Sequence, residues 1–173
     1  FAEEAVDPLA MAMEPIGRIE VRRMTEEDLD GVMEIERQSF PTPWSRGLFE
    51  RELLLLYAHA FVAVEVPTGR VVGYLCFWLV EGETHILNLA VHPQCCRQGI
   101  ASRLLRYGLD YSRQKGAEEI TLEVRRSNFK AIALYRSFHF QPRGVRLRYY
   151  SDSGEDAVIM TLRLDEPAPK TSR

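Results

Sequence analysis

Glu123, Asn128 and Tyr135 are spaced so that three polar groups can converge. In Leu122-Glu123-Val124-Arg125, strand alternation turns Glu123 away from Leu122 and Val124, and seven-residue spacing puts Asn128 and Tyr135 on nearly one side of a helix. A second stretch, Leu89-Ala90-Val91-His92-Pro93, leads into Arg97-Gln98-Gly99-Ile100-Ala101-Ser102. Small residues at a helix start let a pyrophosphate approach the unpaired N–H groups and the positive end of the helix dipole. Arg97 and Arg103 add charge. The stretch is no P-loop, because no Gly-Lys-Ser/Thr follows, and no dinucleotide fingerprint, because the three glycines are absent. Each feature also has a plainer reading. Gly99 can serve only turn and packing, Glu123 can be a paired strand carboxylate, Tyr135 a core ring and Asn128 a helix N-cap.

These residues need elements to position them. Arg18 to Met24 alternates like a strand, and Thr25, with Asp28 three residues on, caps a helix carrying Leu29, Val32 and Met33. Pro41-Thr42-Pro43 breaks the chain, and Ser45 caps a second helix. Ala60 to Val66 and Arg70 to Val80 read as a hairpin, followed by a third strand from Thr84 to Val91. Gln98 to Gln114 has helical periodicity and stops at Gly116, and Glu119 to Val124 is a strand. The short connections predict that Thr84–Val91 and Glu119–Val124 are parallel neighbours. A helix from Asn128 to about Phe138 precedes two closing strands, Gly144 to Tyr149 and Ala157 to Leu164. The expected class is mixed α/β, with about seven strands and four helices. In such sheets ligands favour the carboxyl ends of parallel strands, where both Gly99 and Glu123 are expected.

Composition narrows the function. The 173 residues carry 22 Lys+Arg against 25 Asp+Glu, a net charge of −3, which disfavours a nucleic-acid binder. With 46% apolar and 27% charged residues the chain can bury a core, yet no apolar run reaches the ~20 residues of a membrane span. One soluble domain, 17–164, is expected between a peripheral N-terminal extension, 1–16, and a C-terminal tail, 165–173. The first residue, Phe1, fits a trimmed or processed terminus, and residues 1–15 do not read as a secretory signal. Cys76, Cys95 and Cys96 cannot build a disulfide framework, which fits a reducing cytosol. His92 lies near Cys95 and Cys96, but no second ligand cluster completes a metal site, so none is expected.

Arg97-Gln98-Gly99-Ile100-Ala101, Leu122-Glu123-Val124-Arg125 with Ser127-Asn128, and Ala131-Ile132-Ala133-Leu134-Tyr135 resemble the GCN5-related N-acetyltransferase (GNAT) family. Within it the likeness is to RimI-type N-terminal protein acetyltransferases. It extends from about Ile19 to Leu164 and includes Phe40-Pro41-Thr42-Pro43-Trp44-Ser45, Tyr149-Tyr150 and Gly154-Glu155-Asp156-Ala157. The resemblance implies the GNAT fold, acetyl-CoA as cosubstrate and a protein N-terminus as acceptor, with ribosomal protein S18 and its N-terminal alanine as the foremost case. A lysine or a small-molecule amine is the alternative acceptor, and a non-catalytic acyl-CoA-binding module the third possibility. It further implies that Leu89, Ala90 and Val91 face the acetyl and pantetheine groups and that Arg97, Gln98, Gly99, Ile100, Ala101 and Ser102 hold the pyrophosphate. Asn128 would position the pantetheine arm, Glu123 would be the general base and Tyr135 the general acid. Phe40, Trp44 and a Tyr149-Tyr150 loop would flank the acceptor groove. Cys96 stands where the family turn usually begins with Gln or Arg, and Cys95 where an aromatic is common. Direct attack in a ternary complex is expected, because no histidine is placed as a base for a cysteine nucleophile. A cytoplasmic monomer, without nucleic-acid or membrane partners, completes the expectation.

Overall fold

The computed structural model describes residues 17–164; the expectations for residues 1–16 and 165–173 lie outside the described residues. The order is β1 (Arg18–Arg23), a 3-10 turn (Glu26–Asp28), α1 (Leu29–Ser39), α2 (Arg46–Leu54), β2 (Ala58–Val66), β3 (Arg70–Val80) and β4 (Glu83–Val91). A second 3-10 turn (Pro93–Cys95) leads to α3 (Ile100–Gln114), β5 (Glu119–Arg125), α4 (Phe129–Ser137), β6 (Gln141–Tyr150) and β7 (Glu155–Arg163). The seven strands form one sheet in the order β1-β2-β3-β4-β5-β7-β6, with four helices as expected. Only β4 and β5 run parallel, with α3 between them in sequence.

Local chemistry accounts for most boundaries. Asp28 accepts hydrogen bonds from the Thr25 N–H at 2.8 Å and the Thr25 hydroxyl at 3.2 Å, so Thr25 starts a 3-10 turn and α1 proper begins only at Leu29. Ser45 caps α2 by accepting the Leu48 N–H at 3.3 Å, and Asn128 caps α4 by accepting the Ala131 N–H at 3.2 Å. The expected helix from Gln98 starts two residues later, because Arg97 (φ 61°) and Gly99 (φ 77°) are left-handed and form the turn before Ile100. The strand expected from Gly144 to Tyr149 instead runs from Gln141 to Tyr150, so Tyr149 and Tyr150 end a strand rather than form a loop.

Alternation divides the core between two faces. On β2, Phe61 and Ala63 join Leu75, Phe77, Leu104, Leu105, Ile120 and Leu122 beneath α3, while Val62 and Val64 join Leu29, Val32, Ile35, Phe49, Tyr74 and Cys76 beneath α1 and α2. Helix α3 lies close to the sheet. A Cβ at Gly108 would stand 2.6 Å from Leu75 Cδ2, so a side chain there would have to displace buried Leu75.

Strand β4 breaks this regularity at the place that matters for the site. Its pairing with β3 matches Ile86 to Phe77 and Asn88 to Cys76, leaving Leu87 as a bulge, and its pairing with β5 stops at Ile86–Leu122. A bulge bends its strand and reverses the faces beyond it. Ile86 packs on the α3 side, yet Leu89, not Asn88, joins that side further on, while Asn88 reaches Glu36 of α1. Past Leu87, β4 and β5 part.

Candidate active site

The parting of β4 and β5 opens a cleft of about 730 Å³, within the ~300–1,000 Å³ common for small-molecule sites. Glu123 of β5 and Tyr135 of α4 both line it, approaching from opposite faces of the sheet. Leu87, Asn88 and Leu89 form the β4 wall, and Asn128 lies at the start of α4. Phe40, Trp44, Tyr149 and Tyr150 also line the cleft, so all four expected acceptor-groove aromatics are brought together. Of the three expected β4 residues only Leu89 lines the cleft. Ala90 is buried on the α1/α2 side and Val91 packs against the α3 core. Arg97 to Ser102 lie outside the cleft lining, at the turn into α3.

Glu123 is nine-tenths buried and faces two cations or potential cations. His85 Nε2 lies 2.5 Å from its Oε2, and Arg146 Nε lies 3.4 Å from its Oε1. The His85 contact, reinforced by Arg146 and opposed by burial, holds the carboxyl below its ordinary range, so it is ionised at neutral pH. Tyr135 is buried, with its ring 5.6 Å from that of Phe140. Burial, with Tyr150 adding to it, pushes the phenol well up, so it keeps its proton at neutral pH. The plainer readings of these residues hold as well: Asn128 does cap α4, Glu123 is paired, and the Tyr135 ring sits in the core.

Glu36, Asn88 and His85 escaped the sequence reading. Glu36 is 1% exposed yet lines the cleft, and it accepts hydrogen bonds from the Tyr74 hydroxyl, from the Trp44 N–H at 2.9 Å and from Asn88 Nδ2 at 3.4 Å. Burial raises its carboxyl above the usual range, against the pull of Tyr74 and Trp44. A carboxylate four residues after Val32, on the apolar side of α1, was the available signal. The acidic residues at the β6–β7 turn are engaged within the fold. Asp152 takes both Arg125 nitrogens at 2.7 and 3.0 Å, Glu155 accepts the Ser127 N–H at 2.7 Å, and Asp156 accepts the Arg148 N–H at 2.9 Å. Arg125 also stacks over the Tyr150 ring at 4.0 Å, fixing that wall of the cleft. Tyr150's phenol is pushed up to about 12 by burial, against the effect of Arg125.

A parted parallel pair thus leaves an ionised carboxylate and a protonated phenol on one cleft, with a left-handed turn into the next helix. The sequence matches the Acetyltransferase (GNAT) family over residues 29–140. The chain belongs to the GNAT family. This acetyltransferase is 41% identical over 147 residues to a Bacillus subtilis protein provisionally named a ribosomal protein bS18-alanine N-acetyltransferase, covering 84% of this chain and 96% of that one. It is 34% identical over 137 residues to the Escherichia coli K12 ribosomal protein bS18-alanine N-acetyltransferase, covering 78% and 90%. The crystal structure of the Escherichia coli ribosomal-protein-S18-alanine N-acetyltransferase superposes with a TM-score of 0.79 at 29% identity, covering 90% of this chain and all of that one. Among the described residues no helix is long and apolar enough to cross a membrane, and no group of three or more His, Cys, Asp and Glu could hold a metal ion.

Proposed function

We propose that this GNAT acetyltransferase moves an acetyl group from acetyl-CoA to the N-terminal α-amine of a protein, with the alanine of ribosomal protein bS18 as its acceptor, in the cytosol and as a monomer. The observation that carries this reading is Glu123 and Tyr135 on one cleft where β4 loses β5 as a partner. The residues present fit acetyl-CoA. β4 residues after Ile86 have no pairing with β5, and Gly99, left-handed at φ 77° with nothing within 4 Å of a Cβ position, leaves room beside the first-turn amides of α3. The main chain at Leu89 to Val91 would run along the pantetheine arm, and the amides from Arg97 to Ser102 would hold the diphosphate. Asn128, its oxygen engaged by Ala131, would offer its amide nitrogen. Backbone donors tolerate Cys95 and Cys96 in this turn.

When bound, acetyl-CoA supplies an activated thioester. The chain's residues handle protons and position. An α-amine, with a pKa of about 7.7–8.0, is roughly one-tenth neutral at pH 7, whereas a lysine near 10.4 is neutral about once in several thousand. A terminal amine therefore needs only modest help from a base. Glu123, ionised, takes the proton released as the amine attacks, and Tyr135, protonated, gives one to the departing sulfur. Phe40, Trp44, Tyr149 and Tyr150 would hold the first acceptor residues between the α1–α2 connection and the end of β6.

CoA release with a peptide library varied at its first two positions tests the reading. Faster turnover with Ala or Ser termini than with Met-acidic termini or blocked peptides carrying an internal lysine is expected. Equal rates, or turnover only with lysine or small amines, would remove the N-terminal assignment.

A further inference from the structure

Glu36 and Glu123 both line the acetyl-transfer cleft, and they differ in what faces them. Glu123 has Arg146 Nε 3.4 Å from its Oε1 and His85 Nε2 2.5 Å from its Oε2. Glu36 has only neutral partners: the Tyr74 hydroxyl, the Trp44 N–H at 2.9 Å and Asn88 Nδ2 at 3.4 Å. Among the described residues no Lys, Arg or His pairs with it, and only 1% of it is exposed. Three donors hold its oxygens, yet none carries a charge. A carboxylate buried without a cation is costly until something compensates it.

The acceptor brings the missing charge. With a pKa of about 7.7–8.0, roughly nine in ten terminal amines are ammonium ions at pH 7. The strand geometry places such an ion beside Glu36. The β4–β5 pairing ends at Ile86–Leu122, with Asn88 two residues past that pair on β4 and Glu123 one residue past it on β5. Glu123 alternates with Leu122 and Val124 of the α3-side core, so it faces the α1/α2 side, where Asn88 reaches Glu36. An amine at Glu123 is then on the same side of the sheet as Glu36, with Asn88 of the intervening strand between the two carboxyls.

We propose that Glu36 is the counter-charge that draws the acceptor's terminal ammonium into the cleft and holds it on the α1 side of Glu123. The proposal rests on a terminal amine being the acceptor. Glu36 takes no proton and is a positioning residue, acting by its charge and through Asn88. Burial raises its carboxyl, whereas a neighbouring ammonium pulls it down, so ionisation of Glu36 and capture of the acceptor reinforce each other. Glu123, already compensated by Arg146 and His85, is left to the proton.

Calorimetry of the full chain with CoA bound tests this, using an alanine-terminated peptide and the same peptide with a propionyl group in place of the alanine. The second keeps the shape and loses the charge. The wild-type protein is expected to bind the alanine peptide about tenfold or more tightly than the propionyl one, as suits a charge pair shielded from bulk water. Glu36→Gln keeps the size and most of the hydrogen bonding without the charge, and it should bind the two within about twofold. Its peptide KM should rise about tenfold while KM for acetyl-CoA stays within about twofold. In Glu123→Gln the preference for the charged peptide should persist. A merely structural Glu36 would affect both peptides alike and leave the preference in place. Equal binding in the wild type, a preference kept in Glu36→Gln or one lost in Glu123→Gln overturns the proposal. Absence of acetyl transfer to any terminal amine would instead remove the function beneath it. Should Glu36→Gln fail to fold, the wild type and Glu123→Gln decide: a preference in both supports the counter-charge, and its loss in either overturns it.

Discussion

Glu123 and Tyr135 sit in environments that push them in opposite directions, and this separates their roles. The carboxyl is held ionised by His85 and Arg146, while the buried phenol is held protonated. Glu123→Gln is therefore expected to lower kcat by about 10²-fold or more at pH 7 while KM for acetyl-CoA stays within about twofold. Tyr135→Phe removes the donor but keeps the ring that packs against Phe140, so it should lose turnover without losing stability. Thermal melts beside CoA-release kinetics check both; unchanged turnover in the two variants would take these residues out of the chemistry. Asn128 shows how one side chain can hold two jobs, since its oxygen is spent on capping α4 while its position places it on the cleft.

The α1–α2 connection is held by a buried carboxylate rather than by apolar packing alone. Glu36 ties Tyr74 of β3, Asn88 of β4 and the Trp44 amide together. Removing it leaves several polar groups unpaired, each costing about 1–3 kcal/mol, so Glu36→Ala is expected to lose about 2–4 kcal/mol in urea unfolding. Because Trp44 lines the side of the cleft proposed for the acceptor, the variant's peptide KM should rise more than its acetyl-CoA KM. A smaller rise for the peptide would contradict the assigned groove wall. Helix α3 supplies a separate test. Gly108→Val gains less than about 1 kcal/mol of helix propensity. It also forces a methyl-bearing carbon into fully buried Leu75, an overpacking worth about 1–3 kcal/mol, so the variant should melt at a lower temperature.

Acid should destabilise the whole molecule through its paired carboxylates. Burial opposes ionisation of Asp28, but the two Arg22 nitrogens at 2.7 and 2.8 Å and the Thr25 N–H outweigh it and hold its carboxyl low. Glu123 is held low as well. For such groups stability is present above the unfolded-state value, about 4, and is lost as pH falls through the folded one. Glu36, raised by burial, acts in the opposite sense: its contribution is complete below about 4.3 and is lost as pH rises through its folded value. Urea midpoints should therefore fall between pH 5 and pH 3, and Asp28→Asn should be less stable at pH 5 with a smaller fall. An unchanged fall would remove Asp28 from the acid response.

Much of this molecule was determined locally. Alternation in β1 to β5, the caps at Thr25, Ser45 and Asn128, and the left-handed turn at Gly99 each depend on neighbours a few residues away, so the mixed sheet was legible in the chain, while of the expected β4 wall only Leu89 lines the cleft. The bulge at Leu87 was not, because it arises from how β4 pairs with β3 far along the sequence. That one extra residue turns Asn88 toward Glu36 and lies where β4 leaves β5. The meeting of His85 with Glu123 likewise depends on parallel register across 38 residues, an energy of long-range pairing that no local pattern encodes.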